Sequence, residues 1–568
     1  MKIYSAHDYW INEVEAIEIP AVGLLEAVQE EVYQRILQRL ANPGRLMFFA
    51  ADTGLGKTTG FQKAIPRLPK DTTVLIMVPT KLDADQMYQA MEDLCPGEVG
   101  VWTQTHDPDK AEKDPRFDPS VWFTKSEAVK KRVLIVTHNC GKEAEGWIGA
   151  RDLVLIDEDP GPVKSDYVYG SHFRQAFEQE AKVGVNGAVF KEADAWASSQ
   201  SEDGLTPIGI PEWVDKVRDC SPRTAAGEKI KLLAEMIHRG TAFQSNRRHV
   251  AWHWFQYSLP YQEHAIIFSA TAPYEGYQFA PHATGPISRD GPEVDYSQVT
   301  AYLVPRPSGV SKYKKEILSD PDQVRLFSNA VRDVCGTDGE NTLLITNKDL
   351  VKHAQKAAPE VKTTYWGVDV GSNEYRDCTK VVIAGEHHLP KDAYLADYYG
   401  HSGVEEMTAE ELERGQNTRG SLMRQLEELH HSRFFKQMVA RGSCRNVSDV
   451  GGVALADSME LYCMIDGEIF YNLLPILLPG IQLKTIDGKP YEPNKYVRGR
   501  LGAIQAHLSE TEADIVTAED LKAVGINISG AKPKKQIEDN LSRFPGWKWI
   551  RGKPGRPVAP SKFVRVKG

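Results

Sequence analysis

Leu46-Met47-Phe48-Phe49-Ala50-Ala51-Asp52-Thr53-Gly54-Leu55-Gly56-Lys57-Thr58-Thr59 runs from a short apolar stretch through a glycine-bearing turn into a helix-capable segment. Residues 51–58 fit the phosphate-loop pattern with Ala in place of the first Gly. In such a turn the glycines let backbone N–H groups point inward around phosphate oxygens. Lys57 neutralises the β and γ oxygens, and the Thr58 hydroxyl coordinates Mg²⁺ at a helix N-terminus that already favours anions. Thr53, Gly54, Gly56, Lys57, Thr58 and Thr59 are therefore the expected nucleotide-binding residues.

Downstream, Leu153-Val154-Leu155-Ile156 runs into Asp157-Glu158-Asp159, an apolar strand that delivers carboxylates at its end. Alone, an acidic cluster after a strand is usually a solvated turn. Paired with Lys57, Asp157 is expected to hold Mg²⁺ and Glu158 to orient or activate an attacking water, the two tasks that phosphoryl transfer to water requires. Short β-rich runs at 46–50, 74–78, 133–136, 153–156 and 266–268 alternate with helix-like stretches at 23–40 and 81–94. A second set of strands is expected at 343–345, 380–383 and 461–464. This alternation predicts two tandem α/β domains with parallel sheets.

The chain has 568 residues, and its 41% hydrophobic and 26% charged content excludes a disordered or fibrous protein. No run approaches the roughly 18 to 20 apolar residues of a membrane helix, and residues 1–20 lack a basic-then-apolar signal pattern, so a cytoplasmic location is expected. The seven cysteines are scattered without CxxC. The pairs His387-His388 and His430-His431 read as packing residues, and neither zinc nor an iron-sulfur cluster is expected. From Ala531 onward there are eleven Lys or Arg against Glu538 and Asp539, a net +9, which leaves −19 for the rest of a chain whose total is −10. A basic tail with aromatics suits a nucleic-acid contact or a solvated tail. Lys548, Arg551, Lys553 and Arg556 are its candidate phosphate contacts. Arg247-Arg248 followed by Trp252, Trp254, Phe255 and Tyr257 suits either base stacking or core packing.

Taken in order, these residues resemble the motifs of superfamily 2 helicases, DEAD/DEAH-like and of phage or mobile-element type, which are nucleic-acid-dependent ATPases with two RecA-like domains. Gln29, 28 residues before Lys57, resembles the glutamine that such proteins use to recognise adenine. Pro79-Thr80-Lys81-Leu82, with Gln86 one residue late, resembles PT-x-L-x-x-Q, which touches the nucleic-acid backbone, and His138-Asn139 sits where relatives carry another strand-contacting segment. Ser269-Ala270-Thr271 matches the SAT motif that couples ATP state to movement. Trp366-Gly367 with Gly371 to Asp377 is similar to the fifth motif. Residues 437–445, from Gln437 to Arg445, are similar to QxxGRxxR, with Ala440 replacing glycine and the second arginine one residue late. The resemblance implies that Gln437 and Arg441 or Arg445 reach the γ-phosphate, one arginine serving as the trans-domain finger.

The resemblance further implies ATP and Mg²⁺ as cofactors, single-stranded or forked DNA and replication proteins as partners, no membrane, and the cytoplasm of a bacterial host if phage-encoded. The expected organisation is a RecA-like domain over 1–290 with a mostly helical insertion at 160–263, a second RecA-like domain over 291–494, and a basic winged-helix-like domain over 495–568. In that last domain, helices are expected at 517–524 and 533–543 and a strand pair at 547–566. Two rival readings are a DNA-packaging motor and a replication initiator or loader that uses ATP as a switch.

Overall fold

The computed structural model describes residues 23–491 except 104–122, 143–146, 185, 202–203, 247–248, 260–261, 281–282, 288–289, 305–313, 337–338, 368–373, 390, 418 and 466–467. Beyond 491 it describes 504, 507–508, 511, 513–523, 528, 534, 537, 547–550 and 561–565. Arg247, Arg248, residues 371–373, Arg551, Lys553 and Arg556 lie outside the described residues, as does most of the helix expected at 533–543.

Two six-stranded sheets form the body. The first runs in the order Met47–Phe49, Ala265–Phe268, Leu153–Asp157, Val74–Val78, Val133–Thr137, Val99–Trp102, with every pairing parallel. Its central strands are apolar and buried on both faces, which a parallel sheet requires because its crossover helices cover both sides. All strands point one way, so every loop that leaves a strand end emerges on one edge. That edge receives residues 50–56, 79–80, 158–160 and 269–271 together, the usual place for ligands in an open α/β sheet.

The second sheet is also all parallel, in the order Lys362–Tyr365, Thr342–Thr346, Lys380–Ala384, Met459–Met464, Val299–Leu303, Gln482–Thr485. Three of these strands match the expected runs. Lys362–Tyr365, Val299–Leu303 and Gln482–Thr485 are additional, two of them edge strands with little continuous apolar sequence to announce them. One apolar core is continuous across both sheets, from Val28 and Phe61 through Phe268 to Leu343, Phe435 and Leu461.

The segment between the acidic box and the SAT strand contains the expected helices, Gly170–Val183, Gly187–Ser199, Trp213–Asp219 and Ala225–His238. It also contains a four-stranded antiparallel sheet, in the order Val163–Tyr169, Val250–Tyr257, Ala242–Asn246, Gly204–Pro207. The helical expectation missed this sheet because Lys164 to Asp166, Gln244 to Asn246 and His253 break up its apolar residues, which meet helices on one face and the second lobe on the other. Trp252, Trp254 and Phe255 lie in that sheet, buried, so they are packing residues. Phe243 and Phe255 pack with Leu395 and Tyr399 of the helix Lys391–His401, which joins the inserted segment to the second lobe.

Near the chain end, Ile515–Thr517, Lys562–Arg565 and Trp547–Ile550 form an antiparallel three-stranded sheet. Thr517 caps the helix Ala518–Ala523 by accepting a hydrogen bond from the Asp520 N–H at 3.2 Å. Trp549 is buried against Phe563, with ring centroids 4.7 Å apart, whereas Lys548 is exposed. Among the described residues no helix is long and apolar enough to cross a membrane.

Trp252 lies fully buried against Phe173 and Trp196, at 4.9 and 5.4 Å between centroids. Trp252→Ala is expected to cost about 3–5 kcal/mol in urea unfolding. A loss below about 1 kcal/mol would contradict this placement.

Candidate nucleotide site between the two sheets

The turn after Met47–Phe49 closes through two glycines in the left-handed region, Gly54 at φ 90° and Gly56 at φ 75°, and Gly56 opens the helix Lys57–Ala64. A Cβ on Gly54 would lie 2.2 Å from the Arg445 carbonyl oxygen, so only glycine lets the second lobe come this close. Lys57 is buried and donates to its own loop, to the carbonyls of Ala51 at 2.9 Å and Asp52 at 3.0 Å. Burial pushes its ammonium below the usual lysine range, opposed by Glu158, Asp52 and Asp157.

Register brings the acidic box to this loop. Ala265–Phe268 lies between Met47–Phe49 and Leu153–Asp157, with Phe268 opposite both Phe49 and Asp157. Thr58 therefore reaches across to donate to Asp157 Oδ1 at 2.9 Å. Burial first, and the neighbouring Glu158 second, push the Asp157 carboxyl up to about 7. A hydroxyl and a carboxylate at this distance are hard oxygen donors suited to Mg²⁺, and a cation there would replace the proton that burial otherwise favours.

Glu158 has φ 64°, the one non-glycine residue at positive φ among the described residues. A strained backbone of this kind persists only where the surroundings enforce it. Here the Glu158 N–H donates to the Phe268 carbonyl at 3.0 Å, and Ser269 donates to Glu158 Oε2 at 3.3 Å. The Ser269 and Thr271 hydroxyls are 3.0 Å apart, and Ser269, Ala270 and Thr271 are all buried. Thr53, Glu158, Ala270 and Thr271 then line one cleft with Gln437, Ala440, Arg441 and Arg445 of the second lobe.

Other expected residues fall in varied places. Gln29, on the helix Leu24–Ala41, lies beside Gly56, and its side-chain oxygen accepts from Lys63 at 2.8 Å. Thr59 is exposed on the helix, away from the cleft lining. Pro79 and Lys81 are half-buried at the sheet edge, and Thr80 caps the helix Lys81–Leu94 reciprocally with Asp83. Asn139 is exposed, whereas His138 is buried and its Nε2 donates to the Asp157 carbonyl at 2.9 Å. Burial pushes that imidazole down to about 3. His138 thus supports the acidic box from within the fold.

Sequence reading missed the ties between the lobes. Lys436, next to Gln437 on the helix Arg419–Val439, forms a buried ion pair with Asp52 inside the phosphate turn. Arg433, one turn earlier, donates to Glu275 at 2.9 Å, just beyond the SAT segment. Ser165 of the inserted segment donates to Asp397, and within the first lobe Tyr277 donates to Asp159, the third acid of the box. The available signal was an acid at a loop position and cations one helical turn apart before Gln437.

Residues 26–158 match the DEAD/DEAH box helicase family model. No curated protein matches the chain. Among solved structures, Xpd4 from S. tokodaii is similar at 12% identity and TM-score 0.46, covering 80% of this chain and 99% of its own. An apo XPD structure gives 11% identity and TM-score 0.48 over 81% of this chain and 100% of its own. S. cerevisiae Dbp5 bound to RNA and ADP BeF3 gives 11% identity and TM-score 0.36 over 80% and 89%.

Because the folded Asp157 pKa is raised above the unfolded value, the unfolded chain holds fewer protons between about pH 4 and 7. Stability is therefore lost as pH rises through that window, at up to about 1.4 kcal/mol per pH unit from this group. Urea unfolding in EDTA is expected to show this slope in the natural chain and a smaller one in Asp157→Asn. Equal slopes would contradict the assignment.

Proposed function

We propose that the chain is a nucleic-acid-stimulated ATPase, a superfamily 2 DNA helicase or translocase acting on single-stranded or forked DNA in phage or mobile-element replication. The observation that supports this most is the composite cleft, in which Thr53, Glu158 and Thr271 face Gln437, Arg441 and Arg445 across the gap between two parallel sheets.

The chemistry follows from where charges sit. Bound ATP supplies the transferable γ-phosphoryl group. Lys57, which now satisfies itself on two loop carbonyls, exchanges them for phosphate oxygens, and Thr58 with Asp157 would hold Mg²⁺. Glu158 holds the attacking water through a carboxylate whose backbone is fixed by the Phe268 carbonyl. Arg441 or Arg445 places positive charge against the γ-phosphate, worth most in a cleft closed to water. Ser269 links Glu158 to Thr271, so loss of the γ-phosphate is felt in the segment 272–279 that contacts Arg433 of the second lobe. Alternating closure of the two lobes then moves them along a strand.

In this reading Pro79, Thr80, Lys81 and Asn139 lie along the edge that meets the nucleic-acid backbone. The basic three-stranded tail module with Lys548, Arg551, Lys553 and Arg556 is a winged-helix-like second contact.

Steady-state ATP hydrolysis with and without single-stranded DNA, single-stranded RNA and duplex tests the proposal. Single-stranded DNA is expected to stimulate the natural chain at least tenfold, and both Lys57→Ala and Glu158→Gln are expected to lose about 10²-fold or more. ATP binding without stimulation by any nucleic acid would overturn the motor and favour an initiator or loader in which ATP acts as a switch.

A further inference from the structure

A second cluster lies away from the nucleotide cleft, at the carboxyl end of the strand Lys380–Ala384. Gly385, at φ 102°, turns the chain out of the sheet, and Glu386, His387 and His388 follow. His387 is taken up by packing. Its ring stacks on Trp366 at 6.4 Å and on His430 at 4.9 Å, and its carbonyl accepts from His430 Nε2 at 3.0 Å. The Trp366 indole N–H donates to the Gly385 carbonyl at 3.2 Å, which pins the turn from the other side. With the turn held at both ends, His388 pairs with Glu386 and meets the edge of His431, ring centroids 5.2 Å apart.

We propose that Glu386, His388 and His431 form a binding site for a divalent first-row transition metal ion, with Zn²⁺ as its reference occupant. One carboxylate oxygen and one nitrogen from each ring lie within 4.8 Å of one another. Metal–ligand bonds of about 2.1 Å place tetrahedral ligands roughly 3.4 Å apart, so shifts of under about 1 Å per side chain close the set. Two imidazoles with one carboxylate favour Zn²⁺ and its neighbours over Mg²⁺ or Ca²⁺, which prefer oxygen throughout. Glu386 and His388 keep 16% and 36% of their side-chain surface exposed, which gives an ion a path in and leaves coordination positions for water.

The sequence alone argues against zinc because the His pairs read as isolated, without nearby Cys or carboxylate partners. Glu386 is adjacent in sequence, but His431 arrives 43 residues later, on the helix Arg419–Val439. An ion there would bond the turn after the central strand to the helix that carries Arg433, Lys436 and Gln437. The proposal stands independently of the nucleotide reading.

The test uses the full chain, stripped with EDTA, exchanged into buffer with excess Mg²⁺, and titrated with ZnCl2 by calorimetry and with CoCl2 by visible absorption. One equivalent of Zn²⁺ is expected to bind and to raise the melting temperature. The Co²⁺ complex is expected to show d–d bands without sulfur charge transfer. His388→Ala, a partly exposed position that should not disturb folding, and Glu386→Gln are each expected to weaken Zn²⁺ binding at least tenfold, while Asp157→Asn leaves it unchanged. If His431→Ala fails to fold, the other two variants decide. No Zn²⁺ uptake by the natural chain, equal uptake by His388→Ala, or a sulfur charge-transfer band would each overturn the site.

Discussion

A buried ion pair between Lys436 and Asp52 holds the functional arrangement together, because it ties the turn that would receive phosphate to the helix that lines the facing wall. Both side chains are almost wholly out of water, and a buried charge without its partner costs several kcal/mol, so neither lobe can swing freely while the other keeps its loop. Such a pair adds little to stability compared with a well-packed apolar one. What it contributes is placement. One turn earlier on the same helix Arg433 engages Glu275, and a further turn back His430 engages the His387 carbonyl, so a single rod contacts the phosphate turn, the segment after the SAT residues and the end of the second sheet.

The first sheet meets this rod with a set of groups that register alone assembles. Because the SAT strand lies between the phosphate-turn strand and the acidic strand, Thr58, Asp157, Glu158 and Ser269 converge without any long-range loop. The site is electrostatically and conformationally loaded: Asp157 sits protonated up to about 7, Lys57 spends its donors on its own backbone, and Glu158 holds a positive φ. In the proposed function the first two of these costs would be relieved by a magnesium nucleotide, which offers a cation to the carboxylate and phosphate oxygens to the ammonium.

Much of this was legible in the residue order. Apolar strands ending in small or acidic residues revealed the parallel sheets and the phosphate turn, since strand, loop chemistry and helix start are all local. The bond from His138 to the Asp157 carbonyl was not legible, because a polar residue after a strand can turn inward to a neighbouring strand and only the sheet order reveals that neighbour. The antiparallel sheet of the inserted segment was hidden because polar residues such as Gln244, Ser245 and His253 interrupt the apolar ones that pack on the helices and the second lobe. The ion pairs and the Glu386, His388, His431 cluster join positions from two to several hundred residues apart, and no local pattern encodes which helix face meets which loop.

The central claim is that the second lobe completes a site the first lobe can only half build. Single-turnover ATP hydrolysis by Arg441→Ala and by Arg445→Ala, set beside their ATP affinities, tests it most directly. ATP is expected to bind within about tenfold of the natural chain in both, while hydrolysis falls by about 10³-fold in at least one, the size of effect an arginine supplied across a cleft produces. Hydrolysis at the natural rate in both variants, with or without single-stranded DNA, would contradict the composite site.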